Sequence, residues 1–177
     1  MYILIDIGGT KTRVTFTKNG DSFEEPTIFK TPQDFSTWLA NIHKSTEFIL
    51  LNKALRGVIV GVPGTFTEGG TIIKTPNLPA WHGAPIKEHL ERLFSVAVIL
   101  KNDTALVGLG EAVYGAGKGH DIVAYVTIST GVNGVRIIDG AIDRSTYGFE
   151  IGHSIIDITN EKDVESLIGG GSLEHQF

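Results

Sequence analysis

Apolar residues along the chain alternate between two spacings, and the elements follow from them. Tyr2-Ile-Leu-Ile-Asp6-Ile is a short β-branched run that predicts a buried strand, with an Asp near its end and a Gly8-Gly9-Thr10 turn directly after it. Residues 13–17 alternate as a second strand, Lys18-Asn-Gly-Asp21 reads as a turn, and a third strand falls around residues 25–29, giving an antiparallel meander. Thr31-Pro-Gln-Asp34 resembles a helix start, and Phe35, Leu39, Ile42, Ile49 and Leu50 mark an amphipathic helix to about Leu51. Residues 56–62 read as a central parallel strand ending in a Pro63-Gly64 loop, so a strand-helix-strand pattern has begun. Gly69-Gly70 turns a small hairpin with residues 71–74 as its second strand. Residues 77–83 form a Pro/Gly-rich loop carrying Trp81, and residues 85–94 a short helix with Ile86, Leu90 and Leu93 on one face. Residues 96–100 are a further buried strand that delivers Lys101-Asn102-Asp103-Thr104 to its C-terminal end, before a helix over residues 105–114. In open α/β sheets that edge is where ligands sit.

Gly115-Ala-Gly-Lys-Gly119 reads as a linker, which predicts domains at 1–117 and 118–177. The second half restarts with a strand over 122–129, turns at Thr130-Gly131-Val-Asn-Gly134, and returns through residues 135–138 to an Asp139-Gly140 turn and a short strand at 141–142. This plan echoes residues 2–20 and suggests a duplicated unit whose second copy would lack its later strands and helices. Residues 149–158 hold a short strand, and residues 163–177 a helix interrupted by Gly169-Gly-Gly171. The class is α/β.

Composition narrows the functions. The 177 residues are 41% hydrophobic and 20% charged, the balance of a globular protein with a sizeable core. A net charge of -5 without a basic run makes no case for nucleic acid as a partner. The absence of Cys excludes disulfides, thiolate nucleophiles and Cys-ligated zinc. Met1 runs straight into the first strand without a basic leader, and no apolar run reaches spanning length, so cytoplasm and no membrane are the expectation. The 22 Gly cluster in turns, where close backbone approach or positive φ is needed.

Several polar groupings are candidates for chemistry. After the first strand, paired glycines can bring N–H groups to an anion, Thr10 and Thr12 offer hydroxyls, and Asp6 can hold a divalent cation through water; an ordinary tight hairpin capped by the Asp explains the same residues. Asp103 at a strand end can accept a proton from a substrate hydroxyl while Asn102 orients that substrate, or the pair can simply cap the next helix. Glu150 and His153, three apart after a bend at Gly148, suit vicinal hydroxyls; a metal or a satisfied His are the other readings. Thr130-Gly131 opens either a second phosphate cradle or a plain hairpin, and neither turn fits the Walker or dinucleotide-binding pattern.

Taken in order, Asp6-Ile-Gly-Gly-Thr10-Lys11, Asn77-Leu-Pro-Ala-Trp81, Asn102-Asp103-Thr-Ala105, Ser129-Thr-Gly131-Val-Asn-Gly134 through Asp139-Gly140, and Glu150-Ile-Gly-His153 closely resemble the ROK family of sugar kinases and repressors. The resemblance implies an actin-like, ribonuclease-H-like ATPase fold with a mixed sheet. It has two α/β domains about a cleft, the sugar deep in that cleft and ATP across the two Gly turns, and the second domain here would be incomplete. It further implies that Asp6 positions magnesium, that Gly8, Gly9, Thr10 and Lys11, with Thr130 and Gly131, face phosphates, and that Asp103 is the base for a hexose 6-hydroxyl. Asn77, Asn102, Glu150, His153 and Glu165 would bind the sugar, with Glu165 preferred to Glu174 because Gly169 and Leu173 match the family spacing.

The chain also departs from that pattern. The family's Cys-rich zinc loop is replaced by residues 155–163, so a zinc-free member is expected, and Ser129, Asn133 and Val135 stand where the family commonly has Gly. The adenosine-binding Gly motif falls outside these 177 residues, and no helix-turn-helix precedes Met1, which favours the kinase branch. The expectation is an N-terminal portion of a sugar kinase with little or no activity alone, or else a sugar-binding sensor of the same fold. Apolar faces left open in an incomplete second domain would make a homo-oligomer one expected state.

Overall fold

Strand β1 (Tyr2–Ile7) buries Ile3, Ile5 and Ile7 on one face, as its alternation requires, and leaves Asp6 exposed on the other. The structure is a computed structural model. It describes every residue except Lys53, Pro76, Thr130, residues 144–148, Glu150 and residues 174–177, and the side chains of residues 49–52 and 173. β1 pairs antiparallel with β2 (Lys11–Thr17), which pairs antiparallel with β3 (Thr27–Lys30). On its other side β1 runs parallel to β4 (Gly57–Val62), which runs parallel to β7 (Val98–Asn102), giving one mixed sheet in the order β3-β2-β1-β4-β7. Helix α1 (Phe35–Asn52) and helix α2 (Ile86–Phe94) connect these strands, and a small hairpin of β5 (Thr65–Phe66) and β6 (Ile72–Lys74) lies between β4 and α2.

The core of this unit gathers Val58, Val60, Val62, Val98 and Leu100 with Ile3, Ile5 and Ile7, and with Trp38, Ile42, Ile86, Leu90 and Trp81. α1 buries Trp38, Ile42 and Thr46 rather than centring on Leu39, because the stripe that starts at Phe35 continues at Trp38. Thr46 is tolerated in that stripe because its hydroxyl donates to the Ile42 carbonyl at 2.8 Å. Trp81 ends a single 3₁₀ turn (Pro79–Trp81) and packs on Trp38 and Phe35 at centroid separations of 5.0 and 5.3 Å. Thus the Pro/Gly-rich loop is anchored in the core by its aromatic residue.

The chain divides into two compact units, Met1–Asp103 and Thr104–Phe177. The division falls at the start of helix α3 (Asp103–Val113), whereas the glycine run predicts it after residue 117. α3 packs against the second sheet so closely that a Cβ on Gly108 would lie 2.2 Å from Val135 Cγ1. The glycines at 115–119 are likewise no linker. The N–H groups of Gly115 and Gly117 both donate to the Glu111 carbonyl, and a Cβ on Gly117 would meet Val123 at 2.8 Å, so they turn the helix end tightly onto its own sheet.

That sheet is an antiparallel meander of β8 (Ile122–Ile128), β9 (Val132–Ile138) and β10 (Ala141–Ile142), in the order β10-β9-β8, and it repeats the plan of β1 to β3. β9 starts at Val132, so Val132, Asn133 and Gly134 belong to a strand and not to the predicted turn. Beyond it lie a 3₁₀ turn (Ile151–His153), a hairpin of β11 (Ile155–Asp157) and β12 (Lys162–Asp163), and helices α4 (Val164–Ile168) and α5 (Gly170–Leu173). Among the described residues no helix is long and apolar enough to cross a membrane.

Candidate functional site

In the first unit, three adjacent parallel strands end side by side. In register, Asp6 of β1 lies beside Gly61 of β4, and Val62 of β4 beside Asn102 of β7. The Gly8-Gly9-Thr10 turn, the Pro63-Gly64 loop and the Asn102-Asp103 pair are therefore neighbours at one C-terminal edge, the binding edge of an open α/β sheet.

The first turn is set by a hydrogen-bond chain reaching in from the core. Trp38 Nε1–H donates to the Thr12 hydroxyl at 3.2 Å, and the Thr31 hydroxyl donates to the Gly8 carbonyl at 2.7 Å. With the Thr31 proton used on Gly8, the 3.0 Å contact between the two threonines has Thr12 as donor. Thr12 is fully buried, so its hydroxyl braces the turn and does not face a phosphate, contrary to its sequence reading. Gly8 N–H is spent on the Lys11 carbonyl at 2.9 Å, while among the described residues the N–H groups of Gly9 and Thr10 meet no acceptor. Gly9 is required by close approach: a Cβ there would lie 2.3 Å from Asn77 Cβ. Two of the predicted site residues are thus brought together, and Gln33 Nε2–H holds the Asn77 carbonyl at 3.3 Å. A shallow depression of about 500 Å³ lined by Gly9, Thr10, Lys30, Thr31, Pro32 and Gln33 opens beside the turn. The exposed Lys11 lines a neighbouring one.

Asp6 stands about half exposed at the end of β1, and its Oδ2 accepts from Arg13 Nη1 at 2.9 Å across the β1–β2 ladder. Among the described residues no group of three or more His, Asp or Glu could enclose a metal ion. A lone half-exposed carboxylate with one oxygen on a guanidinium fits a magnesium contacted through water, the mode in which substrate phosphates supply the inner ligands.

Asn102 ends β7 and Asp103 opens α3, so the two straddle a strand-helix junction, where the sequence places the strand end at residue 100 and the helix start at residue 105. Asn102 Nδ2–H donates to the Gly64 carbonyl at 3.2 Å. Gly64 has φ +93°, and a Cβ there would lie 2.1 Å from the Lys74 carbonyl oxygen, so only glycine presents its carbonyl to Asn102 in this way. The sequence pattern does not single out Gly64, Gln33 or Thr31 as candidate site residues; of these only Gly64 carries a signal, the Pro-Gly dipeptide after a buried strand.

In the second unit, Glu165 Oε2 accepts from Val132 N–H at 2.8 Å, and a Cβ on Gly131 would lie 2.5 Å from that oxygen. The Gly131 turn and the candidate sugar-binding Glu165 are therefore in contact, and Gly170 N–H adds a bond to the Ser129 carbonyl. Asp163 caps α4, its Oδ1 accepting from Ser166 N–H at 2.8 Å, and its Oδ2 lies 3.3 Å from Nδ1 of the exposed His153. The bonds from Ser166, N–H first and then hydroxyl, with the contact from His153, hold the Asp163 carboxyl below the usual carboxylate range. The sequence pattern does not single out Asp163 either; an Asp three residues before a Ser at a helix start is its available sign. Thr130 and Glu150, two of the predicted residues, lie outside the described residues, as does the rejected Glu174.

A mixed sheet with Gly turns at the ends of its first strands, followed by a second meander on the same plan, defines the actin-like ATPase fold. Within that class the chain belongs to the ROK family, whose model matches residues 2–176. It is 35% identical over 101 residues to a glucokinase of Thermotoga maritima, covering 55% of this chain and 32% of that one. It is 36% identical over 110 residues to the xylose repressor of Bacillus subtilis, covering 61% and 28% respectively. The crystal structure of a ROK hexokinase from Thermus thermophilus superposes with a TM-score of 0.82 at 26% identity, covering 99% of this chain and 62% of that one. The chain therefore spans less than two thirds of each of these relatives.

Proposed function

We propose that this chain carries the sugar-binding and phosphate-binding portion of an ATP-dependent hexose kinase acting at the 6-hydroxyl. The observation that carries the reading is the shared strand edge: the Gly8-Gly9-Thr10 turn, Asn77 packed on Gly9, and the Asn102-Asp103 pair all lie at the C-terminal ends of β1, β4 and β7. Phosphoryl transfer asks a protein for positioning and charge stabilisation more than for covalent chemistry. The N–H groups of Gly9 and Thr10, with Lys11, would take phosphate oxygens, and Thr130 and Gly131 would do the same in the second unit. Magnesium, contacted by Asp6 through water, would neutralise phosphate charge. Asn77, Asn102, Glu150, His153 and Glu165 would hold sugar hydroxyls, with Asn102 fixed by its bond to Gly64. Asp103 would accept the 6-hydroxyl proton as that oxygen takes the phosphoryl group.

Because the chain spans only part of the kinases it matches, these 177 residues are expected to bind hexose with little or no turnover. Calorimetry against glucose, mannose and N-acetylated hexosamines, with and without ATP and magnesium, together with a coupled ADP assay, tests this. Ordinary glucose phosphorylation by the 177 residues refutes the low-activity expectation, and failure to bind any hexose refutes the site. The match to the xylose repressor supports a second reading, a sugar sensor that performs no transfer. In the kinase reading, Asp103→Asn in a catalytically active longer chain lowers the rate roughly 10²–10⁴-fold while sugar binding is largely kept; a near-normal rate removes Asp103 from the role of base.

A further inference from the structure

One carboxylate serves two candidate sugar-binding groups. Asp163 Oδ1 caps α4, the helix that carries Glu165, and Asp163 Oδ2 lies 3.3 Å from His153 Nδ1. The backbone makes this pairing reproducible. Asp163 lies directly across the β11–β12 ladder from Ile155, two residues after His153, and Val164 N–H donates to the Ser154 carbonyl at 3.1 Å. A carboxylate only accepts, so the contact requires a proton on His153 Nδ1. In the neutral ring this leaves Nε2 as a bare lone pair, and the imidazole turns an acceptor outward. The low-lying acidity of Asp163 keeps it ionised at neutral pH, so the arrangement persists there.

We propose that Asp163 is a positioning residue that fixes His153 as its Nδ1–H tautomer, so that Nε2 receives a hydrogen bond from a sugar hydroxyl. The hydroxyl part rests on the reading of His153 as a sugar-binding group; the tautomer part does not. His153 then selects hydroxyls able to donate, the same polarity that a carboxylate such as Glu165 selects, and the acceptor oxygens of the sugar must find their donors elsewhere.

The test uses Asp163→Ser, because serine retains a helix N-cap but has a single short oxygen and gives up the second contact. Nitrogen-15 shifts of the His153 ring, assigned by loss of the signal in His153→Gln, are recorded at mildly alkaline pH. The wild-type ring is expected to show a protonated Nδ1 and an unprotonated Nε2, and the Asp163→Ser ring to revert to the Nε2–H form that predominates in free imidazole side chains. A wild-type ring already in the Nε2–H form, or an Asp163→Ser ring unchanged from wild type, overturns the proposal. Calorimetry with the same hexose panel supplies the second readout: Asp163→Ser and His153→Gln are each expected to weaken binding about three- to tenfold, the scale of one neutral hydrogen bond. If His153→Gln weakens binding and Asp163→Ser does not, the positioning role fails. If neither does, the sugar-binding role of His153 fails while the tautomer assignment stands on the shifts alone.

Discussion

Thr12 and Thr75 are both buried threonines, and their hydroxyls have opposite consequences. Thr12 stands in the middle of the chain Trp38, Thr12, Thr31, Gly8, in which each donor finds an acceptor and the last carbonyl belongs to the turn proposed to face phosphate. Thr12→Val leaves the Trp38 indole N–H without an acceptor and Thr31 without its donor, an expected loss of about 1–3 kcal/mol in urea unfolding. Thr75 Oγ1 is buried with no partner among the described residues, as is Trp81 Nε1. Thr75→Val keeps the side chain's shape and deletes an unpaid polar group, so it is expected to stabilise by about 1 kcal/mol. The pair of variants checks the assignment together: equal shifts of the same sign in urea midpoint contradict it. Gly9→Ala has a different cause, steric and not polar. Its Cβ would overlap Asn77 Cβ at 2.3 Å, so either the turn or the Asn77 loop must move, an overpacking cost of about 1–3 kcal/mol. A Gly9→Ala protein of unchanged stability and unchanged phosphate affinity would show that the two loops are not packed together.

Two helix starts and one turn supply the acid sensitivity of the elements. Asp34 precedes α1 and accepts from both Thr37 N–H, at 2.6 Å, and the Thr37 hydroxyl, at 2.7 Å. Its carboxyl is held below the usual range first by the hydroxyl and then by the N–H, as that of Asp163 is by Ser166 and that of Asp157 by Asn160. A carboxyl depressed in the folded state stabilises fully above its unfolded pKa, and that stability disappears as pH falls through the folded pKa. Urea midpoints are therefore expected to be insensitive to these groups from pH 7 to about 5 and to fall below about pH 4. Asp34→Asn, which caps without titrating, flattens that fall; an unaltered acid limb would remove Asp34 from the explanation. The same elements show what the pattern of residues could and could not tell. The β1–β3 meander, both parallel strands and α2 were legible within a few residues, because alternation and turn chemistry are local. The junction at Asn102-Asp103 was not: Asn and Asp are favoured before helices, which drew the expected strand end back to Leu100 and the helix start forward to Ala105. The glycines at 115–119 read as a linker because composition carries no information about Glu111 and Val123, which need Gly115 and Gly117. The pattern does not separate Trp38 from Leu39 for a related reason, since which of two adjacent apolar residues faces the core depends on Trp81, far along the chain.

At the scale of the molecule the two units are unequally built. The first buries a continuous cluster from Ile3 to Leu100, with two tryptophans fully enclosed between sheet and helices. The second buries Ala112, Val135 and Ile137, with Leu109, Val123 and Tyr125 partly covered. The other face of β8 presents Ile122, Val126 and Ile128 to solvent at 66%, 41% and 59% exposure. Apolar area removed from water is the main term opposing chain entropy, at about 25 cal/mol per Å², so each unit's resistance to opening should follow the core it owns. Amide exchange of the 177 residues is expected to show β1 and β4 exchanging only through global unfolding, and β8 and β9 exchanging through a lower-energy opening that leaves the first unit folded. Adding a hexose that binds to His153 and Glu165 should raise protection of β9 next to Val132 more than that of β4, because Glu165 already grips the Val132 N–H and gains by being held. Equal protection of β4 and β9 in the free chain would mean that the small second core is stabilised by something other than its own burial.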